Sequence, residues 1–380
     1  MINKERILNQ FMEFIRVYSP TKNERRAADL AIKYLKELNM EVLEDNVGEL
    51  IGGNSGNVIA YLKGKLTKAP VLLLSAHLDC VQPCENIEPE LIDGIIKSKS
   101  NTILGGDDKA GIVSILEALK VIKEKDIPHG DIQVVFTVAE EGGLAGSKNI
   151  DTTLLKADLG YALDSSGKPG TIINNAPGQN RIEITVQGKA AHAGIAPEEG
   201  INAIMVTAKA LSQVRDGRID EETTANIGII KGGTATNIVT DKVEIIGEAR
   251  SRNLDKLTEQ TNHVCEAFNK VAQEHGATVD FKVIKSYEPY FLTEEMPVVS
   301  AAVEAAKNIG LPFEIKATGG GSDANYFNSH GIPCAVLGIG MEKVHTTEEY
   351  IKEEHLYQTA EYVVSIIKSV AESDQSRNPI

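Results

Sequence analysis

The run Ile132-Gln133-Val134-Val135-Phe136-Thr137-Val138-Ala139 is followed at once by Glu140-Glu141-Gly142-Gly143. A short apolar run bounded in this way is typical of a buried strand in a parallel sheet. Two adjacent carboxylates at its exit repel each other and are costly to desolvate unless a cation neutralises them. This stretch therefore predicts an α/β fold in which a strand end carries a metal site, a catalytic site or both.

Length and composition narrow the class of protein. A chain of 380 residues is too long for a single core, so two domains are expected. The net charge of −15 argues against partners such as nucleic acid or anionic membranes, which require basic surfaces. The first residues lack the apolar core of a signal peptide, and no apolar run is long enough to span a membrane. Four scattered cysteines suit reduced thiols, so we expect a cytoplasmic location.

The first 180 residues alternate between helical and strand patterns, which is typical of an α/β layer structure with a largely parallel sheet. The helical patterns lie at 3–17, 23–38 and 109–124, and the strand patterns at 57–62, 71–77, 132–139 and 159–164. From 291 to 380 the same alternation resumes, with a helix at 295–309, a strand at 333–338 and a helix at 353–371. We therefore predict one discontinuous domain made of 1–180 and 291–380, ending in a polar, frayed tail at Ser373–Ile380.

Residues 181–290 have a different order, β-α-β-β-α-β, which is that of a ferredoxin-like unit. The strands are expected at 181–187, 223–230, 242–251 and 279–286, and the helices at 202–214 and 253–275. A compact α+β domain inserted between two parts of one α/β domain explains this arrangement best.

Residues with metal-binding side chains gather where the predicted strands end. They are His77 and Asp79 after the strand at 71–77, Asp107 before the helix at 109–124, Glu140 and Glu141, Asp164, and His345 a few residues past the strand at 333–338. Each is ambiguous alone, since an aspartate before a helix is a common N-cap and a lone histidine is often a core residue. In open α/β sheets, however, ligands bind beyond the carboxyl ends of the strands, and there these residues meet.

Two histidines and several carboxylates, without cysteine ligands, suit zinc or a similar divalent ion at a catalytic site open to water. Five such ligands with one bridging carboxylate would hold two ions about 3.5 Å apart, as in many hydrolases. A remaining carboxylate can then act as general base. Spacing alone does not decide which of Glu140 and Glu141 is the ligand and which the base.

The sequence resembles the M20 family of co-catalytic di-zinc peptidases, most closely its peptidase T (tripeptide aminopeptidase) branch. The matching segments appear in the family's order and span nearly the whole chain. They are Ser75-Ala76-His77-Leu78-Asp79, Gly106-Asp107-Asp108-Lys109-Ala110-Gly111, Glu140-Glu141-Gly142, Leu163-Asp164, Ala191-His192-Ala193-Gly194, Thr236-Asn237-Ile238-Val239, Gly320-Gly321-Ser322-Asp323 and His345-Thr346.

The resemblance implies a zinc-exopeptidase-like α/β/α catalytic domain that holds two Zn²⁺ per subunit, with Co²⁺ or Mn²⁺ as substitutes. By the resemblance, Asp107 bridges the ions, His77 and Asp164 complete one site, and Glu141 and His345 complete the other. It also implies that Glu140 is the general base and that Asp79 orients His77.

The same resemblance makes the insert at 181–290 a lid and dimerisation domain, and it implies a homodimer. His192 would stabilise the oxyanion of the substrate, often from the partner subunit. Asn237 and Arg250 would hold the substrate's backbone or carboxylate, and Gly320 would contact it through its main chain. From the residues alone, a surface histidine and a solvated ion pair of Arg250 with Glu248 are the simpler interpretations.

The implied reaction is removal of the N-terminal residue from short peptides. One departure from the family pattern concerns specificity. By the resemblance, the peptidase T branch has an arginine at the position of Gly319, just before the segment Gly320-Gly321-Ser322-Asp323. Such an arginine would anchor a charged end of the peptide. A carboxypeptidase or an aminoacylase-like amidohydrolase acting on N-acyl amino acids or dipeptides is therefore the alternative. A nucleotide-binding loop at Gly142–Gly146 is disfavoured because Glu140 and Glu141 would repel a phosphate. A metal-binding but inactive scaffold is also disfavoured, because such a protein would lack a carboxylate at the position of the base and this chain has Glu140 there.

Overall fold

The computed structural model of the chain describes residues 2–372, so the predicted frayed tail at Ser373–Ile380 lies outside the described residues. The described chain divides into two compact units. One contains 2–174, 291–317 and 322–372, and the other contains 175–290 and 318–321. The second unit thus begins a few residues before the predicted boundary at 181 and includes a short return segment that the sequence patterns did not reveal.

The helices, in chain order, are α1 (Lys4–Ile15), α2 (Arg25–Glu37), α3 (Val47–Ile51), α4 (Gly106–Glu124), α5 (Ala145–Asn149), α6 (Ala203–Leu211), α7 (Leu254–Glu274), α8 (Pro297–Asn308), α9 (Asp323–Ser329) and α10 (Glu353–Glu372). The strands are β1 (Glu41–Glu44), β2 (Val58–Leu62), β3 (Leu72–His77), β4 (Pro89–Ile92), β5 (Ile95–Ser98), β6 (Ile132–Thr137), β7 (Leu159–Ser165), β8 (Thr171–Ala176), β9 (Gly178–Gln187), β10 (Gly217–Arg218), β11 (Thr223–Gly232), β12 (Lys242–Ser251), β13 (Thr278–Tyr287), β14 (Tyr290–Phe291), β15 (Glu314–Ala317), β16 (Cys334–Gly338), β17 (Met341–Glu342) and β18 (Tyr350–Lys352).

The first unit is built on a mixed sheet with the strand order β1-β2-β6-β3-β7-β16-β8-β14, in which β15 also pairs with β8. Its centre is parallel, because β3 pairs in parallel with β6 and β7, and β7 pairs in parallel with β16. The flanking pairs β2–β6 and β16–β8 are antiparallel. The predicted α/β fold is confirmed, and its parallel centre brings the carboxyl ends of β6, β3, β7 and β16 to one edge.

Helix α4 is buried along most of its length and packs on β3 and β7, while α10 packs on α4 and α8. A helix that is apolar on nearly every side belongs in an interior, which explains why α4 has no solvent-facing stripe. It begins at Gly106, earlier than the predicted start at 109, but Asp107 and Asp108 in its first turn have non-helical backbone angles, so the regular helix starts close to the predicted residue. The buried start of α4 thereby places two acidic residues at the edge of the sheet.

The second unit has the predicted ferredoxin-like arrangement. Its antiparallel sheet has the order β10-β11-β12-β9-β13, and α6 and α7 pack together on β9 and β12. Alternate residues of β9 and β12 point into the core that α6 and α7 cover, as the burial pattern of β9 shows. The added strand β10 is only two residues long and carries no periodic signal.

Several short elements were not predicted from the sequence, among them the hairpin of β4 and β5 and helix α9. Their lengths are too short for a 2.0- or 3.6-residue period to stand out. Among the described residues, no helix has the length and the apolar character required to cross a membrane.

Candidate metal centre and active site

The predicted metal ligands of the first unit lie at the carboxyl edge of the parallel strands. His77 is the last residue of β3, Asp164 lies at the end of β7, and Glu140 and Glu141 follow β6. His345 follows β16 after the short strand β17. The sheet topology alone therefore brings together residues that are far apart in the sequence.

Asp107 joins the two halves of this cluster because its two carboxylate oxygens face different histidines. Its Oδ1 lies 3.0 Å from Nε2 of His77, and its Oδ2 lies 3.3 Å from Nε2 of His345. His77 Nε2 is also 3.8 Å from Asp164 Oδ1, and His345 Nε2 is 2.9 Å from Glu141 Oε1. This arrangement forms two groups of three potential ligands, His77–Asp107–Asp164 and Asp107–Glu141–His345, that share Asp107.

The charges of the cluster make it suited to cations. Carboxylates outnumber imidazoles, and Asp107, Glu140 and His77 are buried. Burial, together with Asp164, raises the pKa of Glu140 well above its usual value, and burial with Asp107 does the same to the pKa of Asp164. Both histidines lie against carboxylates, and Asp107 followed by Glu141 raises the pKa of His345 to about 10. A divalent ion would relieve this excess of buried negative charge, so the residues present fit a metal.

Glu140 belongs to neither of the two potential ligand groups that share Asp107. It forms a third potential ligand group only together with His77 and Glu141. A carboxylate that lies beside a metal pair without being required by it is suitable as a general base. The two groups that share Asp107 contain Glu141 and not Glu140, which agrees with the roles that the family resemblance implies for the two glutamates.

Asp79 makes more contacts than the predicted one with His77. Nδ1 of His77 lies 3.0 Å from the main-chain oxygen of Asp79 and 3.5 Å from its carboxylate Oδ1. The carboxylate itself accepts hydrogen bonds from the N–H groups of Glu140 at 3.0 Å and Glu141 at 3.2 Å, and from the Thr21 hydroxyl at 2.8 Å. Asp79 therefore fixes both the imidazole ring and the turn that carries the two glutamates.

Three buried acidic residues near the centre had no individual role in the sequence analysis. Asp323 accepts hydrogen bonds from the hydroxyls of Thr137 and Ser147, and burial raises its pKa. Glu349 accepts from the N–H groups of Gly105 at 2.7 Å and Asp107 at 3.1 Å, which fixes the start of α4.

The third, Asp108, accepts from the His77 N–H at 3.1 Å. Asp108 and Asp323 stand in the motif segments quoted above, so a signal for them was present. Glu349 follows the His345-Thr346 segment and had none.

The second unit brings two of its predicted residues together. His192 forms an antiparallel bridge with Ile238, and the neighbouring Ala193 N–H donates to the Asn237 oxygen at 3.0 Å. His192 and Asn237 are both exposed, and His192 Nδ1 accepts a hydrogen bond from the Gly194 N–H at 3.2 Å. The two residues therefore lie on main-chain segments that pair with each other within this unit.

Arg250 and Gly320 make different hydrogen bonds within the second unit. The Arg250 guanidinium donates to both carboxylate oxygens of Glu248, at 2.8 and 3.2 Å, as the ion-pair interpretation expected. The Gly320 N–H donates to the Thr318 hydroxyl at 3.2 Å. A Cβ at Gly321 would lie 2.3 Å from the Tyr287 ring, whereas one at Gly319 would meet nothing within 4 Å. Of these glycines, Gly321 is required by packing.

Comparison with known proteins identifies the class. The model of peptidase family M20/M25/M40 matches residues 73–369, so the chain belongs to that family and is a hydrolase.

Among solved structures, the chain is similar to the aminopeptidase PepT of Bacillus cereus ATCC 10987, with 45% identity, a TM-score of 0.92, and coverage of 98% of this chain and 100% of that one. It is also similar to a tripeptidase of Staphylococcus aureus, with 41% identity, a TM-score of 0.95 and the same coverage. An uncharacterised Bacillus subtilis protein, YqjE, is 42% identical over 98% of this chain and 100% of its own length.

Proposed function

We propose that the chain is a metal-dependent exopeptidase that removes the N-terminal residue of short peptides, with two zinc ions held by His77, Asp107, Glu141, Asp164 and His345. The observation that carries this proposal is the Asp107 carboxylate, whose two oxygens face His77 at 3.0 Å and His345 at 3.3 Å. The likeness to an aminopeptidase and to a tripeptidase supports the choice of substrate.

When bound, the metal pair supplies Lewis acidity and makes water acidic enough to attack at neutral pH. Glu140 takes the proton of the attacking water and returns it to the amine that leaves. Asp79 holds Glu140 in place through its N–H, and His192 stabilises the oxyanion that develops on the scissile carbonyl.

Asn237, Arg250 and Gly320 are proposed to bind the peptide. Arg250 pairs with Glu248 in the free chain, so a substrate carboxylate would compete with that ion pair. The alternative substrate class, N-acyl amino acids or dipeptides, rests on Gly319, around which a side chain would find open space.

We also propose a cytoplasmic homodimer formed through the second unit. Apolar residues of that unit are exposed, among them Ile204 and Met205 on α6 and Ile229 and Ile230 on β11. Strand β11 pairs with the short β10 only at Thr224 and Ala225, which leaves much of its edge open among the described residues. An open edge with apolar side chains favours pairing with a second copy. The four free cysteines favour a reducing compartment.

The test is a cleavage panel of di-, tri- and tetrapeptides with free, N-acylated or C-amidated ends, using the zinc-loaded enzyme. The proposal expects cleavage of peptides with a free N-terminus, tripeptides included, and none of the N-acylated ones. Cleavage restricted to N-acyl substrates, or dependent on a free C-terminus alone, would replace the aminopeptidase by the alternative activity.

A further inference from the structure

The turn that carries Glu140 and Glu141 has an unusual set of hydrogen-bond partners. Strand β6 leaves the sheet at Thr137, and the next N–H groups must find acceptors outside the ladder because buried main-chain groups are almost always paired. Side chains from three distant places provide them: the Val138 N–H donates to Asn57 Oδ1 at 3.0 Å, the Ala139 N–H to Glu24 Oε1 at 3.0 Å, and those of Glu140 and Glu141 to the Asp79 carboxylate at 3.0 and 3.2 Å.

Among these three acceptor side chains, Glu24 is a carboxylate with no evident role other than this contact. Its side chain is fully buried, and no lysine or arginine of residues 2–372 forms an ion pair with it. It is the N-cap residue of α2, yet its side chain does not cap that helix. It accepts instead from the Lys22 N–H at 2.6 Å and the Ala139 N–H, and within the same residues Oε2 has no hydrogen-bond partner.

A buried carboxylate without a counter-ion costs folding free energy. Burial, followed by the nearby Asp79, raises the pKa of Glu24 to about 7, which reflects that cost. Its presence is therefore better explained by what it holds in place than by the stability of α2.

What it holds is a main-chain position under strain. Ala139 has a φ of 50°, in the left-handed region that residues with a Cβ adopt at a cost of about 1–2 kcal/mol. The Ala139 oxygen accepts from the Ala145 N–H at 3.0 Å, and the Glu140 oxygen accepts from the Leu144 N–H at 2.7 Å, which closes the turn. Because Ala139 directly precedes Glu140, the orientation of its peptide sets the direction of the Glu140 side chain.

We propose that Glu24 is a positioning residue for peptide hydrolysis, which holds the Ala139 N–H and thereby directs Glu140 at the reacting atoms. The inference rests on the proposed function of Glu140 as general base. The neighbouring Thr21 supports the same turn, since its hydroxyl donates to Asp79 and its methyl lies where a side chain at Gly142 would collide. In the described part of the chain, the hydrogen bonds that Glu24 accepts come from main-chain N–H groups, so it acts through the main chain.

The experiment compares Glu24→Gln, Glu24→Ala and the control Leu35→Ala, all zinc-loaded. The glutamine keeps an oxygen that can accept from Ala139, whereas the alanine removes it. Leu35 is a buried residue of the same helix, and its truncation creates a cavity without a link to the turn. We expect Glu24→Ala to lower kcat about 10- to 100-fold with KM and metal content unchanged, Glu24→Gln to stay within about 3-fold of the wild type, and Leu35→Ala to keep its kcat.

Hydrogen–deuterium exchange over 138–141 provides a readout besides activity. The proposal expects faster exchange in Glu24→Ala and wild-type protection in Glu24→Gln. Unchanged exchange and kcat in Glu24→Ala, or an equal loss of kcat in the glutamine and alanine variants, would overturn it.

If Glu24→Ala does not fold, Glu24→Asp, which is one methylene shorter, replaces it with the same expectations. If the wild type hydrolysed no peptide, the proposed function would fail, whereas the exchange data would still decide whether Glu24 holds the turn.

Discussion

At the residue scale, we propose different tasks for two adjacent glutamates of the same chemistry. Glu141 lies with Asp107 and His345 in one group of potential ligands, whereas Glu140 enters only the group with His77 and Glu141 and is the proposed general base. The turn that separates their directions is fixed by the Asp79 carboxylate, which accepts from both N–H groups. A single side chain thus orients a proposed base, a proposed ligand and the ring of His77.

Substituting these glutamates singly separates their roles. Glu140→Ala should lower kcat by about 10²- to 10⁴-fold, the usual contribution of a general base, while metal content stays near that of the wild type. Glu141→Ala should lose metal first, because it removes a ligand. Metal content by atomic emission and kcat are measured on the same samples. Metal loss in Glu140→Ala, with metal and activity kept in Glu141→Ala, would reverse the assignment.

At the element scale, the long periodic elements could be predicted and the short ones could not. The buried strands β3, β6 and β7 stand out as apolar runs, and α7 shows a clear helical period. Because ligands of α/β sheets bind at the carboxyl ends of strands, locating those strands also located most of the centre. The contact of Glu24 with Ala139 spans 115 residues of sequence, and no local pattern records such a pairing.

The packing of α4 against β7 provides a prediction at this scale. A Cβ at Gly111 would lie 2.4 Å from Asp108 Oδ1 and 2.7 Å from the Leu163 oxygen. Gly111→Ala should therefore displace the start of α4 from the end of β7, where Asp164 lies. We expect a loss of about 1–3 kcal/mol in the free energy of unfolding and weaker metal binding.

The matched control is Gly228→Ala, where an added Cβ would meet only the Asn226 amide at 3.5 Å. Metal affinity and denaturant midpoints are compared for both variants. Metal binding that is equally unaffected in the two would show that the Gly111 contact does not position the centre.

At the scale of the whole molecule, the described residues form two units, and all the proposed metal ligands belong to the first. His192 and Asn237 belong to the second, whose ferredoxin-like order was predictable because each of its long strands and helices is periodic. The family resemblance implies that His192 of the second unit stabilises the oxyanion, and this role is an expectation. It is testable because an oxyanion contact has a measurable effect on rate.

Subunit exchange tests whether His192 acts on the partner's site in the proposed homodimer. Inactive His192→Ala and inactive Glu140→Ala chains are mixed and allowed to exchange. Each mixed dimer would contain one site with an intact Glu140 and the partner's intact His192, and an oxyanion contact contributes about 10²-fold in rate. Activity should therefore rise well above that of either parent.

The control is a chain carrying both substitutions, which should rescue nothing when it is mixed with Glu140→Ala. Mixed dimers confirmed by mass but lacking regained activity would mean that His192 acts within its own chain or not at all.

We propose that hydrolysis depends on two metal ions that share Asp107 as a ligand. The most direct measurement is a titration of the chelated, metal-free chain with zinc, in which peptide hydrolysis and circular dichroism are followed together. Because the sheet and its helices form a core of their own, the metal-free chain should remain folded but inactive. Activity should reach its maximum at about two zinc ions per chain, the number that a shared bridging carboxylate holds. Full hydrolysis by a demonstrably metal-free chain, or a maximum already reached at one ion per chain, would contradict the two-metal mechanism.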